Sequence, residues 1–386
     1  MNTLLLAPEL FTTDSGIPRI LRLYLKALCE LAGEKQRVRF VTLNDVEVDS
    51  RDLRPCTDPR VLTQWAACGR DKRRFVAATL RLSGSTRLII CGHVAQLPVA
   101  WLASWRRPGL RYALVAHGIE VWRPFTWVER RALRGAWKIF CVSEFTRGEI
   151  LKQIDLSPER LVVLPNARDP GLDNAGPLAN AGATPVPTAT AAAMPDPAAA
   201  ISPEPSATRP VILTVARLTS FDRYKGIEHL IDAMPAILAQ QPSVKLRIVG
   251  RGDDRPRLEQ RARDLRLGDA IEFTGYVEDA RLKAEFAGCN LFALPSKNEG
   301  FGLVFAEAMA CGRPCLGARE GGIPEVITPE SGVLVNYGDV PALATACLHA
   351  LDKNWDRDAI RARAEEFSYT RFRSRLKEHL CGSSTI

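Results

Sequence analysis

The sequence predicts an α/β fold of two domains, each built on a doubly wound parallel sheet. Three observations lead to this prediction. Short apolar segments alternate with amphipathic ones in both halves of the chain, an Ala/Pro-rich segment separates the halves, and 386 residues exceed a typical single domain. The composition, with 46% hydrophobic and 25% charged residues, is that of an ordinary globular protein.

The first half opens on an apolar segment that we interpret as a buried strand and not as a signal peptide, because no basic region precedes it. A helix is predicted over 18–29, where Ile20, Leu21, Leu25 and Leu28 recur at helical spacing. The strands predicted in this half are 3–6, 38–43, 88–91, 112–115, 138–142 and 161–164.

The second half repeats the alternation more regularly. Its predicted strands are 211–215, 245–249, 270–273, 291–294, 314–317 and 332–335. Its predicted helices are 226–240, 254–265, 279–287, 303–310 and 341–351. Because doubly wound sheets bind ligands at the carboxyl ends of their strands, ligand-binding residues are expected directly after these strands.

Residues 174–208 differ in composition from the rest of the chain. The segment is rich in Ala, Pro and Thr, contains no aromatic residue, and has only Asp196 and Glu204 as charged residues. Such a composition lacks the apolar surface that a packed core requires. We therefore expect a mobile linker or surface loop, which separates a first domain over 1–173 from a second that begins at 209.

The positive charge is concentrated in the first half. Residues 1–170 contain 27 Lys and Arg against 17 Asp and Glu, whereas the remainder contains 25 against 27. Basic and aromatic residues alternate over 122–138, which suits an anionic membrane surface. A solvated helix face with tryptophans in the core explains the pattern equally well. No nucleic-acid-binding motif accompanies the charge.

The ten cysteines form no CxxC pair, so we expect small buried residues in a reducing cytosol and no metal site. No apolar segment approaches the roughly 18–20 residues of a transmembrane helix. These features predict a cytoplasmic protein, peripheral at the inner face of the plasma membrane.

Two glutamates stand out in the second half. Glu299 lies in a turn that Gly300 and Gly302 make flexible, and Glu307 lies on the apolar helix that follows. Carboxylates accept hydrogen bonds from hydroxyl groups, and a helix N-terminus favours phosphate. The pair indicates a site for a phosphorylated sugar, with a solvated acidic turn before a core helix as the alternative.

Two cations follow the strand predicted at 211–215. Arg217 comes just after it, and Lys225 just before the next helix, where the helix dipole disfavours positive charge. This placement favours a ligand role, in which the two cations hold a diphosphate and offset the negative charge that develops as the diphosphate leaves.

Gly250 and Gly252 follow the next strand, in a turn typical of nucleotide contact, although a tight turn without a ligand explains them equally well. Tyr276 and Val277 follow 270–273 and are placed to hold a flat base. Gly321 and Gly322 form a turn that leads into a helix, with backbone N–H groups available to a phosphate or sugar.

In this order, Arg217…Lys225-Gly226, Gly250-Arg251-Gly252, Glu299-x7-Glu307 and Gly321-Gly322-x-Pro324-Glu325 together resemble the donor domain of retaining GT-B glycosyltransferases of family GT4, also called group 1. The resemblance extends more weakly to the first half, through Ser15-Gly16, His117, Ser143 and Asn166. The C-terminal segment 367–380 resembles the last helix of that fold. The resemblance thus implies a donor domain over 209–365 and a helix over 366–386 that crosses back to the first domain.

The resemblance implies a GT-B architecture, with two Rossmann-like domains facing each other across a cleft. Glu307 would bind the ribose hydroxyls, Glu299 the donor hexose, and His117 the sugar near its reacting face. Catalytic roles fall to His117, Arg217, Lys225 and Glu299. The residues implied in donor binding are Gly16, Arg217, Lys225, Gly250, Gly252, Tyr276, Val277, Glu299, Gly302, Leu303, Glu307, Gly321 and Gly322.

The reaction implied is transfer of a hexose from a UDP- or GDP-hexose to a glycan or lipid-linked acceptor, with retention and without a metal or other cofactor. Bacterial cell-surface polysaccharide, exopolysaccharide or lipopolysaccharide synthesis would use such a step. A sugar-nucleotide epimerase of the same architecture and a non-catalytic binding protein are the alternatives. A dinucleotide-dependent oxidoreductase would need G-x-G-x-x-G after the first strand, which "LLLAPELFTTDSG" lacks.

The chain departs from the family pattern at three positions. The spacing from Arg217 to Lys225 is longer than in many relatives, so Arg223 is a candidate for part of the diphosphate clamp. Ala216 stands where glycine is frequent. The first loop offers Gly16 alone where many relatives have a Gly-Gly pair.

Overall fold

The computed structural model describes residues 2–169, apart from 14, 34, 54–57 and 59, together with residues 209–381. The linker predicted at 174–208 lies outside the described residues. The chain divides into two compact units. The first unit comprises the described residues of Met1–Asp169, Glu299–Leu303 and Phe367–Ile386, and the second comprises those of Pro170–Asn298 and Val304–Glu366.

The first unit contains a parallel seven-stranded sheet in the order β3-β2-β1-β4-β5-β6-β7. Its strands are β1 Thr3–Ala7, β2 Val38–Thr42, β3 Leu62–Ala67, β4 Leu88–Cys91, β5 Arg111–Ala116, β6 Lys138–Cys141 and β7 Leu161–Val163. The helices between them are α1 Gly16–Leu31, α2 Ser50–Leu53, α3 Lys72–Ser83, α4 Leu97–Arg106, α5 Ile119–Trp122, α6 Trp127–Gly135 and α7 Glu144–Gln153.

The second unit contains a parallel six-stranded sheet in the order β10-β9-β8-β11-β12-β13. Its strands are β8 Val211–Val215, β9 Lys245–Val249, β10 Ile271–Gly275, β11 Leu291–Leu294, β12 Cys315–Ala318 and β13 Gly332–Val335. The helices are α8 Ile227–Gln240, α9 Arg255–Asp264, α10 Asp279–Gly288, α11 Leu303–Ala310, α12 Val340–Asp352 and α13 Arg357–Glu365, and α14 Tyr369–Cys381 belongs to the first unit.

The predicted α/β class with two parallel sheets is confirmed. Every predicted strand is present with its bounds shifted by at most two residues. Strand β3 was not predicted, because only Leu62 of its sequence is buried and its next three residues are exposed at the sheet edge. Helices α2 to α7 and α13 were not predicted either. The helix expected after Gly322 is only a 3-10 turn, Ile323–Glu325.

The core of the first unit lies on both faces of its sheet. Leu4 and Leu6 face one hydrophobic cluster, and the alternate residues Leu5 and Ala7 face the other. All four are fully buried, which is why the strand is apolar throughout and does not alternate with polar residues. Among the described residues no helix combines the length and hydrophobicity needed to cross a bilayer.

Helix α14 completes the first unit by packing on α1. The rings of Tyr24 and Phe372 meet edge to face with centroids 4.9 Å apart, and Leu376 is fully buried beside them. Outside this apolar contact, an Arg373 guanidinium nitrogen lies 2.8 Å from a Glu30 carboxylate oxygen. The buried side chains of α14 therefore belong to the hydrophobic core of the first unit, in the cluster that contains Leu5 and Ala7.

We expect Phe372→Ala to destabilise the first unit by roughly 3–5 kcal/mol, because it removes a buried ring and leaves a cavity against Tyr24. Urea unfolding followed by tyrosine and tryptophan fluorescence measures this as a lower midpoint. Lys377→Ala, an exposed change on the same helix, is the matched control. Equal midpoints for the two variants would contradict the packing of α14.

Candidate functional site

In the second unit, the predicted ligand residues collect at one edge of the sheet. Arg217 follows β8, Gly250 follows β9, Tyr276 follows β10 and Gly321 follows β12. Since all six strands are parallel, these residues share the carboxyl edge. Strand β8 lies between β9 and β11, so the direction of winding changes there, and such a point is where doubly wound sheets bind ligands.

Arg217 is oriented by a buried carboxylate that the sequence analysis did not identify. An Nη2–H of Arg217 donates to Oδ1 of Asp222 over 3.1 Å, and the Thr219 hydroxyl donates to Oδ2 over 2.6 Å. Asp222 exposes 6% of its side chain, whereas Arg217 exposes 63%. The guanidinium is thus anchored at one end and open to solvent at the other.

Arg223, the alternative clamp residue, is held by a different carboxylate. Its Nη2 lies 3.0 Å from Oδ1 of Asp254, which also binds two guanidinium nitrogens of Arg257 at 2.8 and 2.7 Å. These arginines, Arg257 foremost, lower the pKa of Asp254. A part for Arg223 in the clamp stays a prediction.

Lys225 ends a short 3-10 helix, Ser220–Lys225, and Gly226 then turns the chain into α8 with a φ of +71°. A Cβ at Gly226 would lie 2.3 Å from the Pro295 carbonyl oxygen, so this position accepts only glycine. The contact holds the loop after β8 against the loop after β11. Lys225 Nζ lies 5.3 Å from the centroid of the Tyr224 ring.

Gly250 and Gly252 are required by the protein's own backbone. A Cβ at Gly250 would lie 1.8 Å from the Ala216 carbonyl oxygen, and one at Gly252 would lie 2.0 Å from that of Leu218. The Leu218 N–H also donates to the Arg251 carbonyl over 2.9 Å. Packing alone accounts for both glycines, and their contact with a nucleotide stays a prediction.

The remaining predicted residues of the second unit differ in exposure. Tyr276 exposes 53% of its surface and stacks with Arg251, whose guanidinium carbon lies 4.9 Å from the ring centroid. Val277 is half-buried. Glu307 exposes 4% although it lies on the apolar helix α11, and Gly321 has a φ of +60° just before Gly322. A buried carboxylate and a left-handed glycine turn thus accompany the two cations on this unit.

In the first unit, the structure brings His117 next to the turn that carries Glu299. A Cβ at Gly300 would lie 1.8 Å from the His117 carbonyl oxygen, and the Cα of Gly300 lies close to Gly118, which has a φ of +150°. The turn is held further by Phe301, whose ring meets Phe367 edge to face at 5.1 Å. Glu299 is half-buried beside Gly300.

The rest of this turn continues into α11. Gly302 has a φ of +84°, and Leu303 packs against the hydrophobic cluster beneath α1. The five residues Glu299–Leu303 are therefore fixed by contacts within the first unit. The donor-binding roles of Glu299, Gly302 and Leu303 stay predictions.

The His117 ring is held in one neutral form. Its Nε2 lies 3.0 Å from the Gly92 carbonyl oxygen, which accepts only, so Nε2 carries the proton. Burial lowers the pKa of His117, and the Glu120 carboxylate, which accepts from the His117 backbone N–H over 2.6 Å, opposes this in part. The sequence analysis missed Gly92 and Glu120, although Glu120 stands only three residues from His117.

Gly16 differs from Gly226, Gly250 and Gly252, which backbone contacts require to be glycine. It is exposed at the first position of α1, directly beyond the loop that follows β1, and a Cβ there would have nothing within 4 Å. The protein's own packing therefore does not demand glycine at this position. Open space beside the N-terminus of a 16-residue helix suits an anion.

Both halves of the chain match models of glycosyltransferase families. Residues 209–353 match the model of glycosyl transferases group 1, and residues 24–172 match that of glycosyltransferase family 4. The chain therefore belongs to the group 1, family 4 glycosyltransferases, and its fold is GT-B.

Two curated relatives share this family signal. The GDP-mannose-dependent monoacylated alpha-(1-6)-phosphatidylinositol monomannoside mannosyltransferase of Corynebacterium glutamicum is 35% identical over 162 residues, 40% of this chain and 41% of that protein. The N-acetyl-alpha-D-glucosaminyl L-malate synthase of Bacillus anthracis is 35% identical over 159 residues, 41% of each chain. The chain thus spans about two fifths of the length of these relatives.

A solved structure shows the same fold over the whole chain. Anabaena HepE in complex with UDP superposes with a TM-score of 0.74 at 20% identity, covering 99% of this chain and 100% of the other. At this identity the similarity establishes the fold alone.

We expect the His117 ring to remain neutral at pH 7. Because its pKa is lower in the folded than in the unfolded chain, where it is about 6.5, the unfolded chain binds the extra proton as the pH falls below 6.5. Stability should then fall by at most about 1.4 kcal/mol per pH unit relative to His117→Asn. Urea unfolding at pH 7.5, 6.5 and 5.5 measures the difference, and parallel curves for the two proteins would contradict it.

Proposed function

We propose that this chain transfers a hexose from a nucleotide diphosphate sugar to a glycan or lipid-linked acceptor, with retention of anomeric configuration. The observation that carries the proposal is the pair of cations in the loop after β8, at the carboxyl edge of the second sheet, where Arg217 is anchored by Asp222 and the Lys225 turn is locked against Pro295. Membership of the glycosyltransferase family gives this anion site its substrate class.

The two cations supply the electrostatic part of the reaction. As the glycosidic bond breaks, negative charge develops on the departing diphosphate, and fixed positive charge stabilises it without reorganisation. Arg217 would bind two phosphate oxygens in its planar fork, while Lys225 would act as a point charge. In this proposal the protein's cations perform the role that a metal ion would otherwise take.

Retention fits front-face attack. The sugar would pass through an oxocarbenium-like state, and the leaving phosphate oxygen would take the acceptor proton. His117 in its neutral form has no charge to repel the developing cation, and Glu299 would hold the sugar hydroxyls. Glu307, buried on α11, would bind the ribose.

The nucleotide is proposed as UDP or GDP. The Corynebacterium relative is named as GDP-mannose-dependent, and the Anabaena structure was solved with UDP. Stacking of the base on the exposed Tyr276 ring is compatible with both.

Lys225→Gln should lower sugar transfer at least a hundredfold, because half of the cation pair on the leaving group is lost. Lys245→Gln is the matched control, since it removes the same charge from the exposed amino end of β9 in the same sheet. Turnover is measured as released UDP or GDP with each nucleotide sugar, with and without a polyprenyl-phosphate-linked or glycan acceptor.

The product's anomeric configuration, read by NMR, tests retention in the same reactions. An inverted product, or equal turnover in Lys225→Gln and Lys245→Gln, would overturn the mechanism. Interconversion of the sugar nucleotide without transfer would instead indicate an epimerase.

We propose further that the first unit attaches to an anionic membrane at the cytoplasmic face. The aromatic residues of segment 122–138 differ in exposure. Phe125 is buried and Trp122 and Trp137 are half-buried in the core, whereas Trp127 is 76% exposed. Trp105, on the neighbouring helix α4, is 67% exposed.

The two helices that carry these tryptophans also carry exposed basic side chains. Helices α4 and α6 pack against each other and expose Arg106, Arg131 and Arg134. Indole rings favour the headgroup region, and each basic residue near an anionic surface contributes about 1 kcal/mol. This combination supports a lipid-linked acceptor.

Trp105→Ala/Trp127→Ala should weaken binding to phosphatidylglycerol vesicles several-fold in a flotation assay, because two interfacial anchors are removed. Phe221→Ala, at a 91% exposed aromatic residue of the second unit, is the control. Unchanged flotation of the double variant, or salt-insensitive failure of the wild-type protein to bind, would contradict attachment through these helices.

A further inference from the structure

An open cavity of about 710 Å³ lies at the amino edge of the first sheet, on the opposite edge from His117 and Gly16. It is lined where the strands begin: Thr3 opens β1, Arg87 immediately precedes β4 and Arg111 opens β5. Strand β1 runs from one edge to the other, and the four steps between its five residues span roughly 13 Å at about 3.3 Å each. The cavity is therefore distinct from the edge that carries His117 and Gly16, the residues of this unit proposed to contact the donor.

The wall of this cavity is strongly basic. Arg87, Arg107 and Arg111 line it, and no Asp or Glu is among its described lining residues. Arg107 donates to the Ser83 carbonyl over 2.8 Å, and the Arg111 guanidinium stacks 5.5 Å from the centroid of the Trp137 ring. These contacts orient the guanidinium groups of Arg107 and Arg111 without neutralising their charge.

A fourth arginine adds buried charge next to the cavity. Arg39 exposes 9% of its surface, and its Nη1 lies 3.4 Å from the hydroxyl of Thr86, which lines the cavity. Among the described residues its Nε has no hydrogen-bond partner. Burial, and in second place the nearby charge of Arg37, lower the pKa of Arg39.

We propose that this cavity, the arginine cavity, binds a phosphate-bearing ligand, either a soluble phosphate or a phospholipid headgroup. Guanidinium groups recognise phosphate through paired hydrogen bonds, and three of them around one space match a group with several anionic oxygens. The volume accommodates such a headgroup, and Leu28, Leu31 and Leu380 supply an apolar wall for the carbon part of the ligand. This site would be occupied independently of the nucleotide sugar.

Calorimetric titration of the full chain with inorganic pyrophosphate tests the soluble form. Because pyrophosphate should also bind the donor loops, the titration is repeated in an Arg217→Gln/Lys225→Gln background. There we expect Arg87→Gln/Arg111→Gln to weaken the remaining binding at least tenfold. Lys72→Gln/Arg73→Gln is the charge-matched control, since it removes two exposed positive charges from α3 of the same unit.

Flotation with phosphatidylglycerol vesicles tests the headgroup form with the same variants. A specific loss of pyrophosphate binding, of vesicle binding or of both in Arg87→Gln/Arg111→Gln supports the arginine cavity and identifies the source of the phosphate. If both measurements change no more than in the control, the proposal is overturned. Nucleotide-sugar turnover should stay unchanged in the cavity variant, so failure here is distinguishable from failure of the proposed transfer.

Discussion

The carboxyl edge of the second sheet depends on backbone contacts that only glycine allows. Gly250 and Gly252 let the loop after β9 lie directly on the carbonyl groups of Ala216 and Leu218, and Gly226 allows the same approach to Pro295. A side chain at any of these positions would separate loops that now touch. These approaches hold in place the loop after β8, which carries both Arg217 and Lys225.

Buried acids then determine where the basic groups point. Asp222 and Asp254 are both nearly buried, and each fixes an arginine whose far end stays in solvent. An arginine without such a partner would sample many rotamers and lose entropy on binding an anion. The carboxylates therefore act as positioning residues for these guanidinium groups.

Much of the fold could be predicted from the sequence because buried parallel strands are continuously apolar. Strand β3 could not, since its exposed edge position leaves a polar pattern. Helix α6 did have a readable signal, the Thr126 and Glu129 capping box that the structure contains. The positions of Arg217, Gly250 and Gly321 directly after strands were also predicted from the sequence. The pairing of Arg217 with Asp222 could not be predicted, because it depends on the direction of side chains within a turn that has no regular period.

At Gly16, the requirements of folding can be distinguished from those of ligand binding. Since a methyl group there meets nothing in the protein, replacement by alanine is compatible with an intact fold. Any harm from such a change would come from a bound partner and not from folding. A survey of variants scored by expression level or solubility should thus classify this position as tolerant, whereas a survey scored by turnover would report on the proposed donor contact.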